Sequence, residues 1–304
     1  MTLQKFALTA IGLAALIFIS GQHTLAWVGP QSLAQQFTQT IQSAASNDQQ
    51  QEVPNNQNDA SLNWAGYVAK QSGTSYTSVT GTWTVPSVST NTSGTADATW
   101  VGIGGVSSHD LIQAGTQAIV QDGQVSYSAW IETLPSFSKT VALDVHAGDS
   151  VTATLAEESE GQWLVTISNN TTGKNYSQTI RYNSSRSSAE WIEEMVSNGN
   201  GTFRPLDSFG SVSFTNAAAT ANGQSQNISA LGAESLQMVN GAEQVLASVS
   251  SATDSGFTVS RNSASTGSPD SLPVTVTIVR HHHHGFSYGY SSIQGIPFFT
   301  IRLY

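Results

Sequence analysis

Two stretches in the middle of the chain place apolar or small residues at every second position. The ranges Val79–Val85 and Val141–Val145 both follow this pattern, and each runs into a turn signal, Pro86 or Gly148-Asp149. A repeat of two residues is typical of a β-strand with one buried face, because successive side chains of a strand point to opposite faces. We therefore predict a strand in each stretch.

Turn signals elsewhere indicate hairpins. Asp122-Gly123 separates two Val-containing runs, and residues 170–174 separate Trp163–Ile167 from Tyr176–Ile180. Asp-Gly is a strong signal for a two-residue hairpin turn. Many short strands with close turns and almost no helical repeat predict an all-β protein, an antiparallel double-sheet β-sandwich.

One segment fits two structures. Ser188–Met195 would pair Glu190 with Glu194 as a helix, whereas as a strand it would place Glu190, Ile192 and Glu194 on one face. The pattern alone leaves both readings open.

The two ends of the chain differ from its middle. Lys5 precedes an apolar run over residues 10–19, and small residues follow at 24–26, so residues 1–26 are predicted to be a secretory signal peptide. The run is short for a membrane span, although an uncleaved anchor is the alternative. Residues 27–60 are rich in Gln, Asn and Ser and are interpreted as a pro-segment or disordered linker. Residues 61–261 form the predicted domain, and 262–304 an extension of unknown role.

Composition narrows the chemistry. The chain has no cysteine, which excludes disulfides and thiol nucleophiles. Only 10% of its residues are charged, against about 25% in ordinary globular proteins, so folding depends little on ion pairs. A net charge of −10 argues against nucleic acid as a partner.

Several familiar catalytic patterns are absent or weak. The sequence has no HExxH helix, no Gly-x-Ser-x-Gly elbow and no P-loop. His109-Asp110 beside two serines would point to opposite faces of a strand. Asp254-Ser-Gly256 is better interpreted as a loop turn, and His281–His284 as an exposed tract with no closed metal site.

A denser set of motifs remains, and it occurs in a fixed order. The motifs are Asn63–Gly66, Gly81–Pro86, Trp100–Gly104, Leu111–Gly115, Tyr127–Glu132 with Pro135, and Ala189–Glu194. In these motifs, over roughly residues 61–261, the chain resembles the glutamic peptidase (eqolisin) family. The resemblance implies a lectin-like, jelly-roll double sheet and an acid endopeptidase that needs no cofactor or metal ion.

The resemblance also implies the site residues. Gln113 matches the family's catalytic glutamine, and Glu194 matches the glutamate that closes the last motif. The substrate cleft would be lined by Trp64, Trp100, Trp130 and Glu132. In this mechanism an ionised glutamate takes a proton from water while the glutamine amide stabilises the developing oxyanion.

The chain departs from better-known family members at three positions. Gly104 and Ser128 stand where acidic residues are usual, and Leu134 where an aromatic residue is usual. Because nearby like charges raise the pKa of a carboxyl group, we expect Glu194 either to ionise at a lower pH than it does in those members or to have a less finely tuned pKa. An ordinary glutamate has a pKa near 4.3, which places activity at mildly to strongly acid pH.

The sequence thus predicts a secreted, extracellular, monomeric acid endopeptidase with polypeptide substrates and no membrane association after signal cleavage. A lectin-like module that binds glycans on exposed tryptophans is the alternative from another class. A glycosidase with Glu132 and Glu194 as paired carboxylates is the third.

Overall fold

The computed structural model describes residues 59–106, 108–198, 202–254 and 256–262, together with the backbone of 288–293 and 296–301. All of its regular elements are strands. They are β1 (Asp59–Ser61), β2 (Trp64–Ala69), β3 (Tyr76–Thr84), β4 (Ala96–Gly104), β5 (Leu111–Gln121), β6 (Gln124–Thr133), β7 (Lys139–Thr140), β8 (Ser150–Ser159), β9 (Gln162–Asn169), β10 (Lys174–Arg181), β11 (Ala189–Glu194), β12 (Ser211–Ala221), β13 (Gln224–Asn227), β14 (Glu234–Val239), β15 (Val245–Val249), β16 (Gly256–Arg261), β17 (Tyr288–Ile293) and β18 (Ile296–Ile301).

The first sheet carries most of the motifs. Its strands run in the order β14, β2, β11, β4, β5, β6 and β7, and all these neighbours are antiparallel. The predicted turn at Asp122-Gly123 joins β5 to β6, and both residues have positive φ angles, 51° and 75°. This is the backbone that a two-residue hairpin turn requires. We refer to this sheet as the site sheet.

The second sheet consists of β16 and β13 beside β12, followed by β3, β8, β9 and β10. The predicted hairpin around residues 170–174 joins β9 to β10. β15 pairs with both β14 and β16, so it links the two sheets at one edge. The all-β antiparallel sandwich is thus confirmed, with one parallel pair between β1 and β14.

Two apolar clusters explain the burial pattern. The larger one fills the space between the sheets and includes Trp83, Trp163 and Trp191. The smaller one, which includes Trp64 and Trp100, covers the other face of the site sheet. Because both faces of β2, β4 and β11 are covered, these strands are buried almost without alternation.

The structure resolves one ambiguous segment and corrects another. Residues 189–194 form strand β11, with Glu190, Ile192 and Glu194 on one face. The strand predicted over Val141–Val145 was wrong: alternate side chains are buried, but regular pairing ends with β7 at Thr140. The reason is a local contact, in which the Leu143 N–H donates to the Val141 carbonyl at 2.8 Å.

The ends of the chain are described only in part. β1 begins at Asp59, two residues ahead of the predicted domain start, and also pairs with β18. The predicted signal peptide and most of the pro-segment lie outside the described residues, as does His281–His284. Within the described ranges, no helix meets the length and apolarity that a membrane span needs.

Candidate active site

Glu194 is the last residue of β11, where the strand lies between β2 and β4. Its cross-strand neighbours are Trp64 on β2 and Ala98 on β4. Because side chains alternate along the strand, Glu194 shares its face with Ile192, a member of the small apolar cluster. The carboxyl group therefore lies on the outer face of the site sheet.

Gln113 reaches the same face from β5. It stands opposite Gly102 on β4 and Glu132 on β6. Its Nε2 atom donates a hydrogen bond to Glu132 Oε2. The predicted catalytic pair is thus presented by two strands that both pair with β4.

A pocket of about 120 Å³ contains both predicted catalytic side chains. Its walls combine apolar side chains with polar ones, and the apolar side chains surround the carboxyl and amide groups. The lining residues are Trp64, Ala98, Leu111, Gln113, Gln117, Trp130, Glu132, Leu134, Phe137, Ser138, Glu194, Val196 and Ser197. A small concave site with a few convergent polar groups is the usual form of a ligand site.

Hydrogen-bond donors from β4 and from the residue before β2 hold the Glu194 carboxyl group. The Trp100 indole Nε1 donates to Oε2 at 2.7 Å, and the Asn63 amide donates to Oε1 at 3.3 Å. Asn63 is itself fully buried. These bonds fix the direction in which the carboxyl group faces the pocket.

Both pocket carboxyl groups hold protons more tightly than an ordinary glutamate. Burial, and then the nearby Glu132 carboxylate, raise the pKa of Glu194 to about 8, although hydrogen bonds from Trp100, Trp64 and Asn63 act to lower it. Burial raises the pKa of Glu132 to about 7, against the lowering effect of Gln113 and of the Ser138 backbone. The expectation that Glu194 ionises at a lower pH than in better-known family members stays a prediction; within this chain, burial is the largest cause of its raised pKa.

The three predicted cleft tryptophans occupy two layers. Trp64 and Trp130 line the pocket. Trp100 has no exposed surface and packs edge to face against Trp64, with ring centroids 5.1 Å apart. Trp100 therefore has no ring face to offer a substrate, contrary to the expectation, and it contacts the site through its bond to Glu194.

Several residues of the site were not predicted from the sequence. Asn63 lies in one of the motifs, but it is 131 positions away from Glu194 in the sequence, so only the fold reveals their contact. Phe137 is 75% exposed yet lines the pocket, and Gln117 lines it from β5. In the sequence, the one feature that could have indicated Phe137 as a site residue is its place as an apolar residue shortly after Pro135.

The candidates Asp110 and Asp254, which the structure describes, do not line this pocket. Asp110 accepts hydrogen bonds from the Ser184 hydroxyl and the Ser185 backbone N–H, in the segment that joins β10 to β11. Asp254 is exposed in the loop before β16. Over the described ranges, no group of three or more His, Asp or Glu residues is arranged to hold a metal ion.

Comparison with known proteins agrees with this architecture. The model of the Peptidase A4 family matches residues 62–261. Aspergillopepsin-2 from Aspergillus niger is 35% identical over 188 residues, and scytalidopepsin B from Scytalidium lignicola is 33% identical over 182. These alignments cover 54% and 55% of this chain, and 66% of each relative, slightly less than two thirds.

A solved structure shows the same likeness. Scytalido-glutamic peptidase, determined with a peptide-based transition-state analogue, superposes with a TM-score of 0.58 at 28% identity. The match covers 66% of this chain and 98% of that structure. With the family model matching well over half of its length, this chain belongs to the Peptidase A4 family.

Proposed function

We propose that this protein is a secreted acid endopeptidase that hydrolyses peptide bonds with a water molecule activated by Glu194 and Gln113. The observation that carries the proposal is their shared pocket, in which a held carboxyl group and a buried amide face the same space. Membership of the Peptidase A4 family supports polypeptides as substrates.

In the proposed mechanism, Glu194 acts as general base and then as general acid. Its carboxylate takes a proton from the attacking water, and the same proton is returned to the leaving amine when the C–N bond breaks. The Gln113 amide contacts the water and donates an N–H to the carbonyl oxygen as negative charge develops there. An amide does not titrate, so this donor is retained at every acid pH.

The raised pKa of Glu194 favours the mildly acid part of the expected pH range. A base with a pKa of about 8 is scarcely ionised at pH 3, so kcat/KM should rise as the pH increases from strongly acid values. Activity at still higher pH is limited by the stability of the fold, because buried carboxyl groups then lose their protons.

Export and maturation belong to the same proposal. The apolar run over residues 10–19 supports secretion to the extracellular space, and the Gln- and Asn-rich stretch supports a precursor processed by cleavage. β1 pairs within the domain from Asp59 onward, so processing that spares this pairing would cut ahead of that residue. A Glu194→Gln protein that matures normally at low pH would argue against self-cleavage.

The geometry favours a peptidase over the two alternatives. Glycan stacking needs exposed rings, whereas Trp64 and Trp130 are 5% and 4% exposed. A glycosidase would use Glu132 and Glu194 as its acid and base. Here Glu132 is instead bonded to Gln113, an amide for which paired-carboxylate hydrolysis has no need.

The experiment is cleavage of an unfolded protein substrate between pH 2 and 7, with an inhibitor of aspartic peptidases present. Wild type should cleave, and Glu194→Gln and Gln113→Ala should each lose at least about 100-fold in kcat, the usual cost of removing a transition-state group. Circular dichroism verifies that the variants are folded.

Glu158→Gln is the matched control, because it removes an exposed carboxylate from β8 on the second sheet. It should cleave like wild type. Activity that survives both pocket substitutions would contradict the proposed site, and an inactive, fully processed wild type would contradict the proposed function.

A further inference from the structure

Among the positions next to Gln113 on its face of the site sheet, one carries a polar side chain. Across the strands it stands between Gly102, which has no side chain, and Glu132. Along its own strand the same-face neighbours are Leu111 and Gly115. Of these four positions, Glu132 alone can form a hydrogen bond with the amide.

The amide is held at one end. Its Nε2 donates to Glu132 Oε2, while its Oε1 is buried and makes no hydrogen bond with any described residue. Oε2 is the acceptor in this contact, so Glu132 holds the nitrogen end of the amide, and a proton that Glu132 keeps below its pKa of about 7 would lie on Oε1. The oxygen end is thereby left without a partner among the described residues, and a water molecule that enters the site could donate to it.

Glu132 is itself anchored. The Ser138 backbone N–H donates to its carboxyl group from the segment that follows β6. On the same strand pair, Gln117 donates to the Ser128 hydroxyl at 3.0 Å. A hydroxyl can donate as well as accept, so that contact holds neither end of the amide in preference.

We propose that Glu132 is a positioning residue that orients the Gln113 amide, so that its oxygen accepts a hydrogen bond from the attacking water and its free N–H faces the oxyanion. This inference rests on the proposed function and assigns Glu132 a role beyond lining the cleft. Without the contact, the amide can rotate by half a turn and exchange its donor and acceptor ends. The rotated amide would present the wrong group to both the water and the oxyanion.

Steady-state kinetics at mildly acid pH test the proposal. Glu132→Ala should lower kcat about 100-fold, similar to the loss of an oxyanion donor, with KM changed only a few-fold. Glu132→Gln retains an acceptor oxygen and should stay within about 10-fold of wild type. The exposed Glu158→Gln should match wild type.

The double variant separates positioning from direct action. If Glu132 acts through Gln113, then Glu132→Ala should have little further effect in a Gln113→Ala background, because the two losses are not additive. Additive losses, wild-type kcat in Glu132→Ala, or a change confined to KM would each overturn the proposal.

A second readout does not depend on turnover. In the ¹⁵N NMR spectrum of the folded protein, the side-chain NH₂ signal of Gln113, assigned by its absence in Gln113→Ala, should be displaced from that of a free amide. Glu132→Ala should return it to the free-amide position, and Glu132→Gln should not. A signal indifferent to Glu132→Ala would overturn the proposal. An inactive wild type with the expected spectra would contradict the proposed function and leave the positioning supported.

Discussion

The proton affinity of Glu194 reflects two opposing influences on one side chain. Burial raises the pKa of its carboxyl group, and the bond from Trp100 is the first of the contacts that lower it. A hydrogen bond donated to a carboxylate favours the ionised form, which is the form that a general base needs. Trp100 thus affects the chemistry without touching the pocket.

Trp100→Phe should raise the pKa of Glu194 further, because it removes the 2.7 Å bond and retains a ring. A hydrogen bond to a charged group contributes about 1.5–3 kcal/mol, so kcat/KM on the acid side of the profile should fall at least about 10-fold. The part of the kcat/KM profile that rises as Glu194 ionises should move to higher pH. The measurement is the pH dependence of kcat/KM.

Trp83→Phe is the matched control. Trp83 is also fully buried, and its indole donates to Thr116 at 2.9 Å in the core between the sheets. Both substitutions should lower the melting temperature, but only Trp100→Phe should move the pH profile. If the pH profile of kcat/KM moved equally in both variants, the cause would be a general loss of packing and not the contact with Glu194.

The strands of the site sheet approach closely where the catalytic groups are held. Gly115 on β5 lies beside Trp100 on β4, and a Cβ atom at Gly115 would lie 2.2 Å from the Thr99 carbonyl oxygen and 2.6 Å from Trp100 Cβ. Real side-chain atoms do not approach this closely, so the glycine leaves the room that Trp100 occupies. The spacing of β4 and β5 therefore sets the position of the donor to Glu194.

Gly115→Ala should force these strands apart or displace Trp100. Overpacking of this kind costs about 1–3 kcal/mol of unfolding free energy, and activity should fall with it. Gly123→Asn, in the turn of the neighbouring hairpin, meets open space and an angle that asparagine tolerates, so it should change stability by less than about 1 kcal/mol. Urea unfolding measures both, and equal effects would contradict the packing argument.

Buried acids determine how the whole molecule responds to pH. Asp97, Glu193 and Asp207 lie together between β4, β11 and the segment before β12, and burial is the main cause that raises the pKa of each. Glu190 is also buried, and its pKa is raised. Arg261 is the cation whose charge acts on Asp207. At acid pH these carboxyl groups are protonated and neutral, so their burial places no charge in the interior.

Stability should therefore be greatest at acid pH and fall towards neutrality. A carboxyl group with a raised pKa keeps its proton in the folded state after the unfolded chain has lost it, and each such group costs about 1.4 kcal/mol per pH unit over that interval. The loss should begin near pH 3.8, the ordinary value for aspartate, and continue through the pKa values of about 8 and about 9 of Glu194 and Asp207. Melting temperatures from pH 3 to 8 measure it.

Asp207→Asn should make this decline shallower, because it removes one ionisable group from the cluster and keeps its shape. Glu158→Gln, which removes an exposed carboxylate, should leave the slope unchanged. A melting temperature that rises from pH 4 to 7 would contradict the argument, since it would require these acids to be stabilised by ionisation in the fold.

Much of the fold follows from local patterns. The Asp122-Gly123 hairpin and the sandwich class could be predicted, because turn residues and a repeat of two residues impose local geometry. Residues 189–194 could not be assigned to a helix or a strand, because a strand buried on both faces loses its alternation. The strand prediction over Val141–Val145 failed for the opposite reason, since alternate burial also occurs in a segment outside the regular strands.

The sequence by itself determined the fold class and, through motif order, proposed Gln113 and Glu194 as candidates for one site. Only the tertiary structure decided that Asn63 and Trp100 hold Glu194, that Glu132 contacts Gln113, and that burial raises the pKa of both glutamates. The physical reason is that hydrogen bonds and desolvation depend on groups brought together from distant positions. Side-chain alternation and turn chemistry, in contrast, act over a few residues and can be read in order along the chain.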